Sequence, residues 1–103
     1  MSNKLFEVWN MSCSATDEMH RLVHEAAQPA VPGERVVAAI TRAARRLGLP
    51  YGRARAHWYR LARQVTAEEA DALRARRADL REQRIRQLEH ELAALQALRR
   101  EAP

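Results

Sequence analysis

Lysine is almost missing from this chain: of its 18 Lys and Arg residues only Lys4 is a lysine. Cysteine occurs once, at Cys13, which excludes an internal disulfide framework and a four-cysteine zinc site. A reducing interior is the natural setting for such a chain. Aromatic residues make up 5% and charged residues 30% of the 103 positions, a balance that argues against one large core. Chains this short often complete their core by oligomerising. No apolar run approaches the roughly 20 residues needed to span a bilayer, and the first residues lack the basic-then-apolar order of a signal peptide. A cytoplasmic, nucleoid-associated location is expected. There is no phosphate loop, nucleophile elbow or recognisable pair of catalytic acids, so no enzyme activity and no cofactor are expected.

What the chain does have is arginine, unevenly spread. Residues 1–33 carry a net charge of −2, residues 34–64 of +7, and residues 65–103 of 0. The central segment holds eight arginines against the single acid Glu34. A concentrated basic stripe usually meets a polyanion. The alternative is a solvated basic surface.

Periodicity points to an all-α fold, with no strand-like alternation anywhere. Leu5, Phe6, Val8, Trp9 and Met11 are too apolar for an ordinary tail and are expected to pack, for instance on a partner subunit. Ser14 or Thr16 offers an N-cap, and Met19, Leu22, Val23 and Ala26 follow at helical spacing, so a first helix is expected over 15–27. Pro29, Pro32 and Gly33 break it. A second helix begins near Glu34, with Val36, Val37, Ile40, Ala44 and Leu47 as its buried stripe and Gly48 as a left-handed end. After Leu49-Pro50 a third helix is expected over 51–64. Ala54, Trp58, Leu61 and Val65 form its inner face, and Arg53, Ala56, His57, Arg60 and Arg63 its outer arc.

The stretch from Ala43 to Trp58 carries the functional signal. A small residue, Ala44, is followed four positions later by Gly48, then by an apolar plug, Leu49, and in the next helix by a second small residue, Ala54. Small residues at those two sites let two helices cross steeply and closely. The pattern resembles the helix-turn-helix of small bacterial or phage DNA-binding proteins. It is most similar to that of molybdate-responsive transcription regulators, over about 20 residues. Arg55 stands where that family has its aromatic residue, and Trp58 comes three positions later. The resemblance extends to no ligand-binding domain, so it implies a docking mode and not a small-molecule ligand. It implies that the third helix enters the major groove. Arg53 and Arg60 are then expected to read bases, with Ala56 and His57 beside them. Arg42, Arg45, Arg46, Arg55 and Arg63 and the hydroxyls of Tyr51 and Tyr59 are expected on phosphates.

Thr66 and Glu69 read as a capping box. No proline or glycine follows until Pro103, so one helix of roughly 34 residues, about 50 Å, is expected. Ile85, Leu88, Leu92 and Leu95 alternate by 3 and 4, the seam of a coiled coil. Leu73 and Leu80 are out of phase with it, which a stutter near residue 84 would reconcile. The domain organisation read from this is an N-terminal segment and first helix (1–33), a helix-turn-helix core (34–65) and a long dimerising helix (66–103). Arg74, Arg76, Arg77, Arg81, Arg84 and Arg86 either track DNA or form surface pairs such as Glu82–Arg86. His20 and His24, four apart, have the spacing of metal ligands but lack a complete set, so no metal is expected. The expected function is a homodimeric, sequence-specific regulator of transcription on double-stranded DNA, not membrane-bound. A helical adaptor gripping a larger protein, and a sequence-tolerant architectural DNA binder, fit the same pattern.

Overall fold

The computed structural model describes the backbone of residues 4–102 and the side chains of residues 15–102. The order is α1 (Lys4–Ala26), α2 (Val36–Leu47), α3 (Tyr51–Trp58) and α4 (Ala67–Glu101), with no strand among the described residues. Among them, no helix is long and apolar enough to cross a membrane.

Helix α1 starts eleven residues before the expected position near Ala15. Ser14 and Thr16 lie inside it instead of capping it. No proline or glycine occurs between Lys4 and Ala26 to stop it, and serine and threonine only weakly disfavour a helix interior. The packing expected of Leu5, Phe6, Val8, Trp9 and Met11 lies outside the described side chains. The Pro29–Gly33 stretch does end the helix, and Gly33 takes φ +78°.

Helix α2 buries Ile40, Ala43, Ala44 and Leu47. Val36 and Val37, expected in that stripe, are 48% and 60% exposed. They occupy the first turn of α2. Helix α2 closes in a Schellman motif: Gly48 takes φ +69° and Leu49 N–H donates to Ala44 O at 2.9 Å. Leu49 then packs against Ile40, Ala44 and Ala54.

Helix α3 is eight residues long and stops at Trp58, six residues short of the expected end at Gln64. It closes in the same motif. Arg60 N–H donates to His57 O, Leu61 N–H donates to Ala56 O, and Arg60 takes φ +58°. An arginine here holds a left-handed conformation that glycine would adopt without strain, which is why periodicity misses the stop. Leu61 consequently leaves the inner face and is exposed, while Ala62 is buried.

Two apolar clusters form the core. Met19, Leu22, Val23, Ala26 and Ala27 of the first helix and its end meet Ala43, Leu47, Ala70 and Leu73. Ile40, Ala44 and Ala54 form the second, beneath the α2–α3 turn. Leu49 and Trp58 pack against both. Helix α4 docks through Ala70, Leu73 and half-buried Leu80. Arg74 binds Glu18 at 2.8 Å and Arg81 binds Glu25 at 2.8 Å, tying α4 to α1. From Arg81 onward every described residue is exposed, so the last 20 or so residues project by roughly 30 Å. The molecule is 66 Å along its longest axis.

The two left-handed turns make opposite predictions. Gly48→Val should destabilise by about 1–3 kcal/mol, because a β-branched residue is strained there. Arg60→Gly should stabilise by about 0.5–1 kcal/mol, the relief of left-handed strain less the entropy glycine adds to the unfolded chain. Urea midpoints at constant m-value check both. Two neutral variants would show that neither turn is left-handed in solution.

Candidate nucleic-acid interface

The surface around the α2–α3 turn is set by what lies beneath it. Ala44 is 6% and Ala54 0% exposed, and the two small residues share one buried cluster with Ile40. Fixing Ala54 inward also places His57 inward, one turn later. The solvent face of α3 is then Gly52, Arg55, half-buried Ala56 and, at the cap, Tyr59. Gly52 and Ala56 keep the backbone of this face open to close approach, with nothing within 4 Å of where a Cβ of Gly52 would stand. The Arg55 guanidinium lies 5.3 Å from the centre of the Tyr59 ring, a cation–π geometry.

The expected outer arc is therefore rotated. His57, assigned to base edges, is 1% exposed and cannot reach a groove from this position. Its Nε2 lies 3.5 Å from Glu69 Oε2, and neither ring nitrogen has a hydrogen-bond partner among the described residues. Arg53, at the flank, donates from Nε to Glu69 Oε2 at 2.6 Å and from Nη2 to Gln64 O at 2.6 Å. Glu69 thus does only half of what a capping box asks. Its N–H binds Thr66 Oγ1 at 3.1 Å, while its carboxylate holds Arg53. Arg60 lies beyond α3 and is 3.5 Å from Asp17.

The expected phosphate-binding residues divide in two. Arg42 donates to Ala27 O at 2.7 Å and forks onto Glu34. Arg46 donates to Ala26 O at 2.9 Å and to Gln28 O at 2.5 Å. These two arginines, one turn apart, supply donors to the carbonyls at the end of α1. Arg45, Arg55 and Arg63 are exposed, as are Arg35, Tyr51 and Tyr59. Among the described residues no carboxylate lies within 4 Å of Arg35, Arg45, Arg55 or Arg63. The exposed arginines of residues 34–64 without a carboxylate partner among the described residues are thus Arg35, Arg45, Arg55 and Arg63.

The basic residues of early α4 act mainly within the protein. Beyond the pairs of Arg74 and Arg81, Arg76 donates to Arg46 O at 2.7 Å, and Arg86 makes the expected i, i+4 contact with Glu82 at 3.8 Å. His20 and His24 also have a structural task. His20 Nδ1–H donates to His57 O and His24 Nε2–H to Trp58 O, both at 3.2 Å. The His24 ring stacks on Trp58 at 3.6 Å. Comparisons with protein-family models, with curated proteins and with solved structures match nothing to this chain.

Titration of this buried layer gives it a pH dependence. Burial pushes His57 below its ordinary 6.5, outweighing the upward pull of the Glu69 carboxylate, with the Arg53 charge adding to the fall. Burial likewise lowers His24, against its bond to Trp58 O. A histidine with a depressed folded-state value binds its proton more readily when unfolded. Its contribution is complete above about pH 6.5 and is lost as pH falls below that. Glu18, Glu34 and Glu69 are held below the usual 4.5 mainly by hydrogen bonds from Arg74, Arg42 and Arg53, so a further loss follows below pH 4.5. Stability should therefore fall in two stages with acid. His57→Leu should shrink the upper stage to the part that His24 supplies and leave the lower one. Urea titrations between pH 8 and 4 check this, and a single stage below pH 4.5 in the parent would refute the histidine contribution.

Proposed function

We propose that the chain is a sequence-specific DNA-binding regulator that works as a homodimer, with α2, the Gly48–Pro50 turn and α3 acting as a helix-turn-helix. The observation that carries this reading is the Ala44–Ala54 contact under a left-handed Gly48, with an open, arginine-bearing face on the opposite side of α3. A helix docked this way presents its outer face to a major groove about 12 Å wide. Arg55 sits mid-face, with Gly52 and Ala56 leaving room for the helix to approach base edges. Arginine in that position can fork onto guanine. Arg35, Arg45 and Arg63, with the Tyr51 and Tyr59 hydroxyls, suit phosphates on either side. Arg53, engaged with Glu69, is better suited to holding α3 than to reading sequence.

One such unit binds weakly, and two are needed for two half-sites. Ile85, Leu88, Leu92, Leu95 and Leu98 are 46–63% exposed on the projecting end of α4, the surface a second copy would cover as a coiled coil. The same stripe also fits an adaptor that grips a larger protein.

Selection from a random DNA pool, followed by affinity against salt, tests the assignment. Arg55→Ala should cost about 1–3 kcal/mol on the selected site and relax one base position, with a smaller loss on random DNA. Arg45→Ala should weaken both DNAs alike and lower the salt slope by about one unit. Arg53→Ala should register as a lower melting temperature. If Arg55→Ala keeps full affinity and selectivity, α3 is not the recognition helix; if the parent selects no DNA at all, the adaptor reading takes its place.

A further inference from the structure

We propose that the projecting end of α4 pairs with the same segment of a second copy in parallel and in register, placing both α2–turn–α3 units at one end of the dimer. This rests on the dimer reading above and adds the orientation, which charge decides.

The seam sets the frame. Ile85 and Leu92 take position a and Leu88 and Leu95 position d of two heptads, all exposed. Glu82, Glu89 and Gln96 then take position e, and Arg84, Glu91 and Leu98 position g. These flanking positions choose partner and direction in coiled coils. In a parallel pair a residue at g meets the following e of the other helix. Arg84 meets Glu89 of the second copy, an opposite-charge pair made twice by symmetry. Glu91 meets Gln96, an acceptor facing an amide donor.

An antiparallel pair brings g to g and e to e. The antiparallel alignment that keeps all four apolar layers matches Ile85 with Leu95 and Leu88 with Leu92. It places Glu91 against Glu91 on one flank of the centre and Glu89 against Glu89 on the other. Two like-charge contacts then stand where the parallel form has none. Sliding the antiparallel helices by a heptad separates the glutamates, but sets Leu88 against Arg99 and leaves Ile85 facing Ala102.

Within its own helix Arg84 bonds Gln87 Oε1 at 3.1 Å, an exposed contact a pairing helix can replace. The docking contacts of α4 stop at Leu80 and Arg81, so the seam begins where the head ends. About 14 residues of seam make a weak dimer. DNA that holds both heads together would add to it.

The test uses the full chain with Cys13→Ser and needs no DNA. Arg99→Cys occupies the next a position. In a parallel register it faces itself and should close an intermolecular disulfide in a glutathione buffer. In the four-layer antiparallel form the two copies of residue 99 lie about 27 Å apart along the axis. Residue 99 then faces residue 81, so mixing Arg99→Cys with Arg81→Cys would give the crosslink instead. That result overturns the proposal. So does a monomer by light scattering at about 100 μM with no crosslink. DNA affinity measured on that same monomer then shows separately whether the groove reading survives. On the parent, Arg84→Glu should weaken dimerisation about three- to tenfold, and adding Glu89→Arg should restore it to within about twofold. Equal dimer affinity in all three chains also overturns the proposal.

Discussion

The last carbonyls of every helix lack donors within the helix, and in this molecule basic side chains of a neighbouring helix supply them. Arg42 and Arg46 of α2 donate to the end of α1. Arg76 of α4 donates to Arg46 O near the end of α2. His20 and His24 of α1 donate to His57 O and Trp58 O at the end of α3. Cations also suit the negative end of the helix dipole. The ends of α1, α2 and α3 are each held by a side chain from another helix. For α3 this matters most, because eight residues do not hold a helix in water unaided. Ala44 packs beneath it, α1 holds its last carbonyls, and Glu69 of α4 grips Arg53 at its side.

This arrangement sorts the arginines. A stripe of +7 over residues 34–64 invites reading as one basic surface. Three of its eight arginines have carboxylate partners inside the protein, Arg42, Arg53 and Arg60, and a fourth, Arg46, is spent on backbone carbonyls. What remains without such a partner is Arg35, Arg45, Arg55 and Arg63.

Helix α4 has two parts with different solvents. Its first half, through Ala70, Leu73 and Leu80, completes the core of the head. Its second half presents Ile85, Leu88, Leu92 and Leu95 to water. The phase difference between Leu73–Leu80 and the later stripe needs no stutter within one seam: the first set faces the chain's own α1 and α2, and the second stands clear of them. Ala, Leu, Arg, Glu and Gln carry the helix across the junction, as strong helix formers do.

Local rules carried much of this fold. The break at Pro29–Gly33, the left-handed Gly48, the burial of Ala44 and Ala54, the Thr66 cap and the length of α4 all follow from residues within a turn or two of one another, where backbone sterics and helical spacing act directly. Distant partners decided the rest. The end of α3 depends on Arg60 in a left-handed turn, with His20 and His24, some 35 residues earlier, bonded to its last carbonyls. His57 lies inward because the Ala44–Ala54 crossing sets the rotation of α3, and no spacing within 51–64 reveals that angle. Whether an arginine faces water or a glutamate turned on pairings such as Arg53–Glu69 and Arg74–Glu18, across 16 and 56 residues. Periodicity tells which residues share a face of one helix; only packing tells which way that face is turned.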